Sequence, residues 1–422
     1  MTETEATHAT PLESGKSVKK PDWRRPNPSR AIEVFGEFTD ELGQKLLSQI
    51  HVLREQNNDS ITVYINSVGG SILVLKYING LLDSRDLNNE FCRTVSVASG
   101  TAASAGAILL AFGDYAYAYE HSLIHFHAVR TQDLPETFQD ATQVLGSLER
   151  SQREISRSVA QAVIRRVIFR YQTLKEKFDC KRTDVPDKEL IELTCFLDAI
   201  RHEISGKARS LVEKTYRNVV SARSLTQKVL EKSKAFHSRS PVRSDAKVLI
   251  GVIKHEISEY EKKKKHWRID ERGAIQIVSD YLAIRDYNLG EHREIMGGLL
   301  KNFGIDFLPD SDKPEYKKLQ QSDPKKSITF LWERAMPTLE PLWYYTISLC
   351  RILLEDENRL TPADAYWMGI IDEVIGTDLT GFRAVAEANQ YKPKPSQPHP
   401  ASSATVPLPP SSLSPPAHAP AA

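Results

Sequence analysis

The sequence predicts an α/β fold with a largely parallel sheet, carrying a large all-α insertion and disordered termini. Three observations lead there. Short apolar strands alternate with helical stripes over residues 30–132, charged and glycine-poor helical periodicity fills 133–336, and α/β patterning returns over 337–391. Strands that feed helices at this spacing build βαβ units, so the first and third blocks belong to one sheet.

Ile32, Val34 and Phe35 open the first strand, and Leu42, Leu46, Leu47 and Ile50 recur at helical spacing behind it. Residues 61–65 form a second strand ending in Asn66-Ser67-Val68-Gly69-Gly70, and Ile72, Leu75, Ile78 and Leu82 line the helix that follows. Residues 94–97 are a strand, 101–112 an Ala- and Gly-rich helix, and 115–119 and 122–126 two more strands. In the insertion, Ile155, Val159, Ala162 and Val163 make one apolar stripe, and Ile253, Ile257 and Tyr260 another. A structureless loop of that length is implausible, so the insertion is expected to fold around a core of its own. Residues 342–354 then read as an apolar helix. Thr361-Pro362-Ala363-Asp364 has the order N-cap, N1 proline and N3 acid, Gly369 closes that helix, and 370–374 resume as a strand. Polar residues 1–29 read as a disordered arm, and the Pro-rich 392–422 as a disordered tail.

Composition excludes several function classes. Lys+Arg 56 against Asp+Glu 55 leaves no global field to draw nucleic acid or an anionic membrane. The basic run 262–265 reads as a solvated helix face, because Glu256, Glu259 and Glu261 offset it. No apolar run approaches the ~18 residues a membrane span needs, and the first residues hold no signal-like apolar segment, so a cytoplasmic protein is expected. Cys92, Cys180, Cys195 and Cys350 are scattered without a CxxC pair and read as reduced thiols.

Two glycine-rich turns, 66–70 and 100–106, follow buried strands. Backbone N–H groups at such a helix start can hold an oxyanion. A phosphate loop does not fit, since no GxxxxGK[ST] is present. Ser104 sits just inside the second helix start among Gly100, Ala102, Ala103, Ala105 and Gly106, where a substrate backbone can approach its hydroxyl. Alone, a serine among such residues reads as close helix packing. His127 changes that reading: strand alternation places His121, Leu123, His125 and His127 on one face, and a strand-end histidine supplies the base that a serine nucleophile needs. A metal reading of His125-x-His127 lacks a third ligand, so no metal or other cofactor is expected.

These residues resemble the Clp protease proteolytic-subunit family, ClpP. ITVYINSVGGSI is similar to the family's YINSPGG segment, GTAASAGAILLAFG to its nucleophile motif, and HSLIHFHAV to the segment ending in its catalytic histidine. RAIEVFGEFTDEL resembles its first strand and LTPADAYWMGIIDEV its close, so the resemblance covers 30–130 and 342–376. It implies a ClpP/crotonase-type core and a serine peptidase with Ser104 as nucleophile and His127 as base. The N–H groups of Ala105 and of Gly69 and Gly70 would form the oxyanion hole. The family's aspartate lies four positions before the Ser or Thr of the closing motif, which here is Glu357, with Asp356 beside it as the alternative. Val68 replaces the family's proline, Ala105 its methionine, and Ala128-Val129-Arg130-Thr131 the glycine-rich strand that pairs with substrate. Family members form heptameric double rings fed by AAA+ unfoldases. The resemblance therefore implies polypeptide substrates, a homo-oligomer and an unfoldase partner. Two rival readings are a non-catalytic assembly or binding subunit and an acyl-CoA enzyme on the same crotonase fold.

Overall fold

The computed structural model describes residues 22–85, 91–131, 137–175, 188–220 and 290–380, with 255, 258, 259 and 262. The stripe expected at Ile253, Ile257 and Tyr260, Cys180, the arm over 1–21 and the tail over 392–422 lie outside them.

The first half of the core alternates up to β4 and then adds a second strand directly: β1 (Ala31–Phe38), α1 (Asp40–Gln56), β2 (Ile61–Gly70), α2 (Ile72–Asp83), β3 (Thr94–Ala103), α3 (Ala105–Phe112), β4 (Tyr115–Tyr119) and β5 (Leu123–Phe126). Thr39 caps α1 by accepting from Leu42 N–H, and Ser71 caps α2 by accepting from Val74 N–H, as short hydroxyl side chains do at N-caps. The chain returns to this sheet through β6 (Asn358–Leu360), a short helix (Pro362–Trp367) and β7 (Glu373–Ile375). The sheet has seven strands, with β1-β2-β3-β4-β7 running parallel. Near-continuous apolar strands such as β2 and β3 are what a sheet covered on both faces requires.

Strand β3 divides its partners. Its first half, Val95 to Ala98, pairs with β4, and its second half, Thr101 to Ala103, pairs with β5. Strand β6 adds to β5 in antiparallel sense. This pairing explains why the helix expected from residue 101 begins only at Ala105: residues 101–103 are held in the sheet by β5. Near the end of the core, Thr361 and Asp364 form a reciprocal capping box, and Gly369 takes φ +78° just after the helix, as its sequence pattern predicts. The last strand starts at Glu373 and not at 370, because the Ile370 and Ile371 N–H groups turn back to the Ala365 carbonyl.

Residues 22–30 are ordered, unlike the arm expected there. Trp23 packs edge-on to Tyr115 at 6.3 Å between ring centroids, and the Arg93 guanidinium lies 4.6 Å from the Trp23 ring. Asn27 N–H donates to Thr62 Oγ1 at 2.8 Å.

Among the described residues between the two halves of the core lie the helices α4 (Phe138–Lys175), α5 (Lys188–Glu203), α6 (206–220), α7 (Gly290–Phe303), α8 (Lys313–Ser322) and α9 (Pro324–Glu355). The helix after β6 is α10. Helix α9 runs through the boundary expected at 336 with Pro337 and Pro341 inside it. One hydrophobic cluster joins Ile108 and Leu110 of α3, Val163 and Val167 of α4, Leu193 of α5 and Leu349 and Leu353 of α9. The change of sequence character at 133 and 336 is thus not a break in packing.

Helix α4 is tied to the sheet by buried charge. Arg166, 1% exposed, donates from Nε to Asp372 Oδ2 at 2.7 Å, and its other nitrogens donate to the carbonyls of Ala111, Ile370 and Gly113. Arg170, one turn on, donates to the Tyr366, Ile371 and Asp372 carbonyls and stacks 3.6 Å from the Tyr366 ring. Asp372 also accepts from Ala116 N–H at 2.8 Å. Gly369 permits this approach, since a Cβ there would lie 2.7 Å from Val167 Cγ2.

Arg166→Ala leaves the Asp372 carboxylate buried without its main partner, and should cost about 3–5 kcal/mol in urea unfolding. Replacing 134–335 by a short linker removes both arginines. The shortened chain should lack the cooperative unfolding transition of the full chain, and a cooperative transition would show instead that the sheet stands alone.

Candidate active site

The site grows from the junction of β3 and α3. Ser104 sits between them as N-cap of α3, one position before the helix and not inside it. Its backbone has φ 53° and ψ −121°, and it has positive φ where the other described residues that do so are glycines. A side chain in that region is strained by roughly 1–3 kcal/mol, which surrounding structure must hold in place. Two contacts do so: Ser104 N–H donates to the His125 carbonyl at 2.8 Å, and the Ser104 carbonyl receives the first turn of α3 through Ala107 and Ile108. A strained serine between a strand and a helix lifts its hydroxyl out of both elements. Ser104 is half-buried.

The end of β2 lies against this turn. A Cβ on Gly69 would stand 2.4 Å from Ser104 Cβ, so only glycine fits, and its φ of +105° requires the same. Gly70 (φ +139°) abuts β1, where a Cβ would meet Phe38 N at 2.6 Å. Of the three backbone donors the sequence suggested, Gly69 N–H is engaged by Ser67 Oγ at 3.1 Å. Ala105 N–H lies in the first turn of α3, where backbone donors have no partner within the helix. On the far side of the turn, Asn66 Oδ1 accepts from Thr101 N–H at 2.9 Å.

The histidines lie at the end of β5. Pairing of Ala103 with His125 carries His127 to the same end of the sheet as Ser104. The His125 and His127 rings are 5.6 Å apart, as expected for one face of a strand. His127 Nδ1 is 2.7 Å from the Ala128 carbonyl. A carbonyl only accepts, so Nδ1 carries a proton, and in the neutral ring Nε2 then holds the lone pair that a general base requires.

Glu357 stands one step beyond the β5–β6 ladder. Phe126 pairs with Asn358, and continuing that antiparallel register sets Glu357 opposite His127. Its carboxylate, however, pairs with Arg130 and lies 2.8 Å from His125 Nε2 without hydrogen-bond alignment. Its own backbone carbonyl accepts from Lys207. Asp356 pairs with Lys214 instead, at 3.3 Å. Sequence reasoning singled out neither Arg130 nor the Ala128 carbonyl as a partner. Arg130 stands three residues past the histidine, a place where charge could have been noticed. Burial holds His125 below its ordinary value of 6.5, and the charges of His127, Arg359, Arg130 and Lys207 push the same way. Among the described residues no group of three or more His, Cys, Asp or Glu is placed to hold a metal ion. No described helix is long and apolar enough to cross a membrane.

A parallel sheet with a serine at a strand–helix turn, a glycine strand against it and a strand-end histidine is the architecture of a ClpP-type core. Residues 18–169 match the family model described as Clp protease. The match runs into α4, past the boundary at 132 expected from sequence, and stops well before Glu357. Over 101 residues the chain is 40% identical to an ATP-dependent Clp protease proteolytic subunit 2 of Bacillus licheniformis, covering 23% of this chain and 50% of that protein. Over 86 residues it is 31% identical to an ATP-dependent Clp protease proteolytic subunit 3 of Rhizobium meliloti, covering 19% of this chain and 39% of that protein. The chain thus spans half or less of the length of these curated relatives.

A pH dependence follows from His125. With its folded value depressed, the unfolded chain binds the proton more readily, so its contribution to stability is whole above about 6.5 and declines as pH falls below that. The urea midpoint should therefore fall on acidification below about 6.5, and His125→Gln should flatten that part of the profile. An unchanged slope in the variant would assign the acid loss to other groups.

Proposed function

We propose that this chain is a serine peptidase that hydrolyses polypeptides through an acyl-enzyme on Ser104. The observation that supports it most is the strained Ser104 turn beside Gly69, with His127 fixed in the tautomer whose Nε2 can take a proton. In this reading His127 Nε2 accepts the Ser104 hydroxyl proton as Oγ attacks the substrate carbonyl. The oxyanion forms toward Ala105 N–H, at the positive end of α3. The imidazolium returns its proton to the leaving amine, and water then releases the acyl group by the reverse sequence.

Glu357 is the acid of this site. Its register position opposite His127 supports that role, and Asp356 is turned to Lys214. A homo-oligomer and an AAA+ unfoldase partner are part of the same reading. Leu73 and Tyr77, one turn apart on α2, are 78% and 44% exposed, which suits a face that another protein covers. A second reading, an assembly subunit without hydrolysis, is favoured by the engagement of Glu357 with Arg130.

A fluorophosphonate probe separates the two. Wild type should label at a single serine, and Ser104→Ala should abolish labelling without lowering the melting temperature. An unlabelled wild type would leave the assembly reading. Glu357→Gln should slow labelling more than about tenfold, while Asp356→Asn stays within about twofold of wild type. The opposite pattern would move the acid to Asp356.

A further inference from the structure

Ser67 is buried, 1% exposed, and lies two residues before the glycine that touches the candidate nucleophile. Its hydroxyl makes two bonds at once: it donates to the Gly36 carbonyl of β1 and accepts from Gly69 N–H. The Gly36 carbonyl is available because β1 is irregular there. The β1–β2 register slips between Phe35 and Glu37, and Gly36 takes φ +81°. We propose that Ser67 is a positioning residue for the Ser104 site: clamped to the β1 bulge, it holds the Gly69 backbone against the nucleophile.

The chain of contacts is continuous. Gly36 fixes the Ser67 hydroxyl, Ser67 fixes Gly69 N–H, and Gly69 has no room to move toward Ser104. Asn66 braces the opposite side, since its Oδ1 accepts from Thr101 N–H and a Cβ on Gly100 would lie only 2.6 Å from it. Without the Ser67 clamp, Gly69 N–H loses its acceptor, and two consecutive glycines at positive φ resist displacement poorly. The same clamp keeps Gly69 N–H pointed away from a substrate oxyanion, which leaves Ala105 N–H as the donor beside the nucleophile. Small misplacements of such groups slow acyl transfer steeply.

The kinetic arm of the test rests on the peptidase reading; the structural arm does not. Backbone amide exchange at Gly69 should accelerate in Ser67→Ala and in Gly36→Ala. The Gly36 methyl meets nothing within 4 Å and acts only through the φ that an L-residue resists. Both variants should label with fluorophosphonate about 10- to 100-fold more slowly than wild type, with Ser67→Thr restoring much of the rate. The double variant should be no slower than the slower single one, because both break one linkage. Melting temperatures of all variants separate loss of fold from loss of placement. Unchanged Gly69 exchange in Ser67→Ala overturns the proposal, as does faster exchange with an unchanged labelling rate. If wild type does not label, the peptidase reading falls, and Gly69 exchange alone still decides whether Ser67 holds that strand.

Discussion

The buried Asp372 carboxylate organises the molecule. It has 2% exposure, yet it receives Arg166 Nε, Arg165 and Ala116 N–H, and its own N–H returns to the Ala116 carbonyl. A lone carboxylate at that depth would be expensive, and so would a lone guanidinium; together, with the remaining donors placed on carbonyls, each removes most of the other's cost. The consequence is geometric. Arg166 also donates to the Ala111 and Gly113 carbonyls at the end of α3, which are last-turn acceptors that the helix cannot satisfy itself. One cluster therefore fixes α3, α4, β4 and the turn before β7.

The position of Ser104 follows from that fixation. Helix α3 is short, running from Ala105 to Phe112, and it is anchored at its C-terminal end by Arg166. At its N-terminal end the serine is held by the His125 carbonyl and pressed by Gly69. A strained φ persists only where its surroundings leave no relaxed alternative, and both ends of α3 are pinned. The helical region thus bears on the site through the placement of α3, and also through Lys207 and Lys214 of α6 at Glu357 and Asp356. Pairing of Asp364 with Ser205 N–H and Oγ sews α6 to the closing capping box in the same manner.

Much of this was legible in the sequence, and the reasons differ by residue. Strand and helix order was readable because parallel strands buried on both faces are apolar runs, and Thr361, Asp364 and Gly369 announce their helix ends by local chemistry alone. The start of α3 was not: the alanines at 102 and 103 carry helix propensity, and only the distant β5 keeps them extended. Ordering of residues 22–30 depends on Trp23 meeting Tyr115 and Arg93, partners about 70 to 90 residues away that no local pattern reveals. The unity of core and helices was hidden for a similar reason. Arginines in a charged helix read as solvated, and nothing in their spacing says that Arg166 and Arg170 point inward at Asp372. At the candidate site, Ser104, His127 and the glycine strand stand out in the sequence by residue type. Their backbone partners were not, because the Ala128 carbonyl and the Gly36 bulge carry no side-chain signature.

Glu357 shows how an aligned position and an interacting side chain can part. Register sets Glu357 across from His127, but the longer glutamate side chain reaches Arg130 and His125. His127 meanwhile keeps a correct tautomer through Ala128, which supplies orientation without charge. A carbonyl dipole can hold a neutral imidazole, whereas stabilising the imidazolium calls for a nearby anion. The Glu357 carboxylate is half exposed, so its pair with Arg130 is weakened by solvent and by salt.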